Sequence, residues 1–226
     1  MESRTRYRIS MTTTAATASA GLTRRGARTR DRIVAAAAAA VFDHGVPATT
    51  IEEVKAVAKV SSSQMYHYFP DKDALIRAVL AYQADTIVRH QQMSALDSLE
   101  GLRAWRDMVV MVERGRQCRG GCPLGSLASQ LAEIDPRARA DAADSFGRWE
   151  AAIRDGLRAM QARGHLGAAV NPDDLAVAVL AALQGGLLLA QIQRNTKPLE
   201  TALDTMISHI ELLTVHPGQA ARESSS

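Results

Sequence analysis

The chain is 226 residues long, room for one domain or two small ones, with a composition apolar enough for a core but only 4% aromatic. Two cysteines make no disulfide framework. A net charge of +3 divides into +5 up to His90 and −2 beyond it, which fits a DNA reader joined to something that is not one. Arginine-rich termini also occur as plain solvated tails, so charge alone leaves both readings open. We find no apolar run long enough to span a bilayer without polar interruption and no signal-peptide core near the start, so the expectation is a soluble cytoplasmic protein with no membrane partner.

Abundant Ala, Leu and Arg favour helix. Residues 1–25 are poor in large apolar side chains and are expected to be disordered without a partner. Arg4, Arg6, Arg8, Arg24 and Arg25 can lie along phosphates or in a minor groove, or simply be solvated. A first helix is expected from about Arg28 to His44, with Ile33, Val34, Ala37, Val41 and Phe42 at helical spacing and Gly45 and Pro47 ending it. Arg28, Arg30 and Arg32 at its start oppose its dipole and hint at a phosphate partner.

The stretch from Thr49 to Leu75 organises the rest. Thr49 or Thr50 can cap a second helix, with Glu52 or Glu53 at the reciprocal capping-box position. Ile51, Val54, Val57 and Ala58 form its apolar stripe, which breaks at Lys59-Val60. Ser61 can cap a third helix over about Ser62 to Tyr68, too short to stand alone. Its outward side chains are expected to be Ser62, Ser63, Gln64 and His67, with Met65 and Phe69 inward. A short polar helix packed on a capped one is the arrangement of a helix-turn-helix, whose second helix places side chains on base edges.

A long fourth helix follows Asp71-Lys72-Asp73 to about Met93, with a phosphate expected at its N-terminus beside Lys72. Further helices are predicted from Asp97-Ser98 to about Arg116, from Leu124 to about Glu133, from Asp135-Pro136 to about Arg163, from Asn171-Pro172 to about Arg194 and from about Pro198 to Leu213. Cys118–Pro123 reads as a loop. No strand and no repeat is visible. The fold class is all-α with about nine helices, divided into a basic arm at 1–25, a helix-turn-helix domain at 26–70, a helical effector-binding and dimerisation domain at 71–216 and a tail at 217–226.

Residues in the central stretch carry a resemblance. Thr49-Thr50, Val54, Ala58, Val60-Ser61, Tyr66-His67-Tyr68-Phe69, Lys72 and Leu75 resemble, in order, the DNA-binding signature of TetR-family regulators. Two positions depart: Lys59 stands at the usual turn glycine and Ser63 at the usual glycine of the recognition helix. A left-handed Lys59 costs roughly 1 kcal/mol or more. The resemblance implies a homodimeric regulator, more often a repressor, that holds a palindromic double-stranded DNA operator and answers a small-molecule effector. On that reading Ser62, Ser63, Gln64 and His67 read bases, while Ser61 at the cap, Thr50, Tyr66, Tyr68 and Lys72 complete the DNA contact.

The helix over Leu175 to Ala190 is apolar around most of its circumference, so it is buried on more than one side, by its own core or by a second copy. The resemblance favours the second copy, through the last two helices, and Leu183, Leu187, Met206 and Ile210 are the expected dimer contacts. Trp105, Met108, Val112, Leu127, Phe146 and Trp149, with Gln130 and Gln184 as polar anchors, can line an effector pocket, although such spacing also describes plain core. Cys118 and Cys122 beside Arg116 and Arg119 can be activated thiols. No spacing matches a metal site, a cofactor loop or a nucleophile elbow, so no cofactor and no enzymatic activity is expected. The alternative to a regulator is a small-molecule-binding protein whose DNA reader has degenerated at Lys59 and Ser63.

Overall fold

The computed structural model describes residues 22–92 and 96–215. Among these, all regular structure is helical except one isolated antiparallel bridge between Leu166 and Thr214. The elements are α1 (Arg24–Ala48), α2 (Ile51–Ala58), α3 (Ser62–Tyr68), α4 (Lys72–Gln92), α5 (Leu99–Gly115), α6 (Pro123–Leu131), α7 (Pro136–Ala162), α8 (Pro172–Gln193) and α9 (Lys197–Leu212). Most of the expected arm and the whole expected tail lie outside the described residues, Arg4, Arg6 and Arg8 included.

Helix α1 begins four residues earlier than the apolar pattern suggests. Thr23 caps it by accepting from the Gly26 amide at 3.1 Å, so Arg24 and Arg25 are helical rather than part of an arm. Gly45 interrupts it with φ 83° and ψ 169°, a backbone that glycine adopts without penalty. The chain then turns through Val46-Pro47 into the helix-turn-helix. Ile33, Val34, Ala37 and Val41 are buried against α2, α4 and α6.

Side-chain caps start α5, α7 and α8: Ser98 accepts from Gly101, Asp135 from Arg137 and Ala138, and Asn171 from Asp173. Pro136 and Pro172 sit where an amide would have no partner anyway. Helices α7 and α8 run antiparallel, held near their shared turn by Arg158 on Asp173 at 2.9 Å and by Gln161 donating to the Val170 carbonyl. Three ion pairs place α5 antiparallel to α9: Arg103–Glu211, Arg106–Asp204 and Arg114–Glu200. These pairs are largely solvent-facing and set register more than stability. Gly186 lets α8 and α9 cross closely, since a Cβ there would lie 2.8 Å from the Leu199 Cα.

One expectation needs correction. Helix α8 is long and apolar enough to cross a bilayer by length and composition, with a mean hydropathy of 2.0. Its Gln184-Gly185-Gly186 interruption lowers that average too little to matter. In the fold, one face is core (Ala176, Val179, Leu183, Leu187, Ala190), while Val177, Leu188, Leu189 and Ile192 are 47–68% exposed.

Candidate nucleic-acid interface

Helices α2 and α3 are joined by a left-handed turn. Lys59 adopts φ 54° and ψ 53°, so the lysine keeps the conformation a glycine would take more easily. The Val60 amide donates to the Lys55 carbonyl at 3.2 Å, closing the end of α2 as a Schellman turn does. Thr50 caps α2 by accepting from the Glu53 amide at 3.2 Å. The reciprocal half of the expected capping box is not made, because the Glu53 carboxylate pairs with His44 at 3.2 Å and Glu52 pairs with Lys55. Thr49 instead donates its hydroxyl to the Gly45 carbonyl, tying the kink of α1 to the start of α2.

The complete capping box belongs to α3. Ser61 accepts from the Gln64 amide, and Gln64 Oε1 accepts from the Ser61 amide at 3.0 Å. This seven-residue helix is fixed from below by Met65 and Phe69, both buried, with Arg30 of α1 over the Phe69 ring at 5.4 Å. Ser62, Ser63 and His67 are exposed, and Tyr66 is 55% exposed. Gln64 is exposed too, but its oxygen is committed to the cap, which leaves its two amide protons for an outside acceptor. Thr50 and Ser61 likewise accept at the caps and retain hydroxyl protons to donate. Tyr68 is half-buried beside the start of α1, its ring edge-on to His67 at 4.8 Å. Lys72 is half-buried at the head of α4, where Asp71 already accepts from the Ala74 amide at 2.6 Å. The Asp71 carboxylate thus satisfies one of the free amides at this end.

The second half of the chain divides the expected effector residues. Trp105, Leu127 and Trp149 are buried, Met108 and Val112 are half-buried, and Phe146 stacks on Trp149 with ring centroids 6.2 Å apart. Among the described residues, Trp149 Nε1 is buried without a hydrogen-bond partner, and the Gln184 side chain, its nitrogen buried, lies beside the Cys122 thiol. Counting along antiparallel α7 and α8 from the Arg158–Asp173 pair brings these two to within about a turn of the same level. Gln130 is drawn elsewhere: its Nε2 donates to the Ser126 carbonyl at 2.8 Å and its Oε1 accepts from the Val46 amide at 3.4 Å, across the boundary with α1.

Comparison with known proteins decides what this arrangement is. Residues 33–79 match the family "Bacterial regulatory proteins, tetR family", and residues 98–205 match "Transcriptional regulator LmrA/YxaF-like, C-terminal domain". The chain belongs to the TetR family. A TetR transcriptional regulator from Chloroflexus aurantiacus superposes with a TM-score of 0.68 at 28% identity, covering 85% of this chain and 98% of that one. An HTH-type transcriptional regulator of Mycobacterium tuberculosis is 27% identical over 76% of this chain and 88% of its own length. The A-factor receptor protein of Streptomyces griseus is 26% identical over 87% of this chain and 67% of its own length. This TetR-family chain is a DNA-binding transcriptional regulator with a ligand-binding C-terminal domain.

Within this TetR fold, three of the four expected dimer contacts face inward. Leu183, Leu187 and Ile210 are at most 5% exposed, and only Met206 is half-buried. The sequence offered apolar residues all round α8, so the choice of Leu183 and Leu187 fell about 100–180° from the exposed face that carries Leu188 and Ile192. The thiols are also corrected. Burial raises both Cys118 and Cys122 above the ordinary thiol range; Glu113 adds to the rise at each, Arg194 opposes it at Cys118, and the Gly125 and Leu124 amides and the Gln184 side chain oppose it at Cys122. Cys118 lines a cleft with Arg114, Arg119 and Arg194, yet its thiol is still raised rather than activated.

Sequence reasoning missed the seam between reader and sensor. Phe42 of α1 lies under the Arg116 guanidinium, 5.3 Å from ring centroid to Cζ. A Cβ at Gly120 would meet Phe42 Cε2 at 2.2 Å, so only glycine lets the ring in. Gln117, Cys118, Gly120 and Gly121 all have positive φ, and the Arg194 guanidinium holds the Cys118 carbonyl at 2.7 Å. Gly120-Gly121 and Pro123 were the sequence signals of this turn, and they said loop without saying against what.

Proposed function

We propose that this regulator is a homodimeric repressor, released from a palindromic operator by a small, largely apolar effector. The observation that carries the reading is α3 itself: every outward side chain from Ser62 to His67 is polar or phenolic, while Met65 is fully buried. On this reading Ser62, Ser63, His67 and the Gln64 amide protons meet base edges. Thr50, Ser61, Tyr66, Tyr68 and Lys72 hold phosphates and fix register. The left-handed turn kept at Lys59 supports a working reader rather than a degenerated one.

One recognition helix binds weakly, and two at roughly 34–36 Å read two half-sites. Val177, Leu188, Leu189 and Ile192 of α8, with Leu212 of α9, are the exposed apolar side chains that support a two-fold contact. Covering that face with a second copy also makes α8 a bundle helix of a cytoplasmic protein. The effector site is assigned to the interior around Trp105, Met108, Val112, Phe146, Trp149 and Gln184, where the unpartnered Trp149 Nε1 offers a donor. The likeness to a protein named as an A-factor receptor supports an effector-responsive role. Effector and operator then weaken each other by the same factor.

Selection of bound duplexes from a random pool at near-physiological salt tests the reading. The expected result is one palindrome with half-site centres about one helical turn, or a small multiple, apart. A folded, dimeric protein that enriches nothing overturns it in favour of a sensor without a reader.

A further inference from the structure

The seam between α1 and the sensor encloses a cleft of about 210 Å3. Its floor is apolar: Val41 of α1, Val79 of α4 and Leu127 of α6. Its polar lining is dominated by three carboxamides, Gln83 from α4, Gln130 from α6 and Gln191 from α8. Gln130 is spent on Val46 and Ser126. Gln83 and Gln191 are half-buried and make no hydrogen bond among the described residues. Half-buried amides facing a cavity without partners are the features by which a ligand is oriented. Asp43 and His44 stand at the mouth, and His44 is already engaged by Glu53.

The walls come from both halves of the molecule. Phe42 and Gly45 belong to the reader; Gly120, Leu127 and Gln191 belong to the sensor. The same seam is closed by the Val46–Gln130 hydrogen bond and by Phe42 seated on Gly120. Anything held there touches α1 at the residue pair where it kinks toward the helix-turn-helix.

We propose that this cleft is a second ligand site, distinct from the effector interior around Trp149 and Gln184, for a small uncharged molecule with an amide or hydroxyl group on an apolar body. The Gln83 and Gln191 carboxamides satisfy a group that both donates and accepts, and the Asp43 carboxylate on the lining repels an anion. The volume lies below the range for drug-sized ligands, which sets the occupant at on the order of ten non-hydrogen atoms. Water filling the cleft is the competing occupant.

Saturation-transfer NMR with benzamide and benzoate, each on the full chain, tests the site without DNA, so its failure is separate from failure of the reader. Benzamide should give a signal at least five times that of benzoate. The near-isosteric double variant Gln83→Leu/Gln191→Leu should weaken benzamide at least tenfold with the melting temperature and the oligomeric mass unchanged. Thr205→Val, on the exposed side of α9, should leave benzamide binding as in the wild type. No benzamide signal, equal binding by the double variant, or loss in Thr205→Val would each overturn the proposal.

Discussion

The reader and the sensor are built from different kinds of information. In the reader, each step is local: Thr50 caps α2, Lys59 turns the chain, and Ser61 and Gln64 cap α3 reciprocally, all within fifteen residues. In the sensor, the same alphabet of caps starts α5, α7 and α8, but which face is core depends on helices far away in sequence. α8 shows the consequence. Its apolar circumference offers two faces, and only packing on α7 and α9 decides that Leu183 is inside and Leu188 outside. Local signals specify where a helix is; distant ones specify what it presents.

The largest effect that sharpens this contrast is on the exposed α8 face. Leu188→Asp/Ile192→Asp should leave the subunit folded, convert dimer to monomer by sedimentation, and weaken operator binding by about 10²–10⁴, the gain that linking two half-site contacts provides. A dimer that persists would move the interface elsewhere. Leu183→Ala, one helical step away and 1% exposed, should instead cost about 2–5 kcal/mol of stability in denaturant unfolding. A loss below 1 kcal/mol would mean that Leu183 is not the core residue described.

Glu113 gives a smaller effect with a definite sign. Burial raises its carboxyl above the ordinary 4.5, against a partial opposing pull from Arg116. Between 4.5 and the raised folded value, the folded chain holds a proton that the unfolded chain has released, so stability falls as pH rises through that window. Glu113→Gln should remove this slope. Melting curves at pH 5 and pH 8 with the same pH dependence in variant and wild type would refute it.

In the reader, Lys59→Gly relieves a left-handed lysine and should add about 1 kcal/mol of stability. An unchanged midpoint would mean that the turn carries no strain. The smallest effect is at Lys72. Lys72→Ala should weaken specific and random duplexes alike and lower the slope of log K against log salt by about one. A change of preferred sequence would make Lys72 a base reader instead.

Most of the fold was legible. The caps at Ser98, Asp135 and Asn171 and the prolines after two of them marked helix starts to within a residue or two. The start of α1 was missed because Thr23 precedes a run of arginines with no apolar period, and a capping hydroxyl is easily read as part of a polar tail. In the site, the outward polar face of α3 could be read from Ser62, Ser63 and His67 alone. That Gln64 spends its oxygen on the cap could not, because capping and base reading ask for the same side chain. Gln130 was named as an effector anchor yet lies on the seam, since its partner Val46 is 84 residues away in the chain.

The most direct test of a dimeric base reader is one titration series. The selected duplex and a scrambled one of equal length are bound by wild type and by Ser62→Ala/Ser63→Ala/His67→Ala, at several salt concentrations. The account predicts wild-type preference for the selected duplex of about 10³-fold or more, collapse of that preference in the triple variant, and the same salt slope for both proteins. Equal affinity of wild type for the two duplexes, or full preference kept by the triple variant, would contradict it.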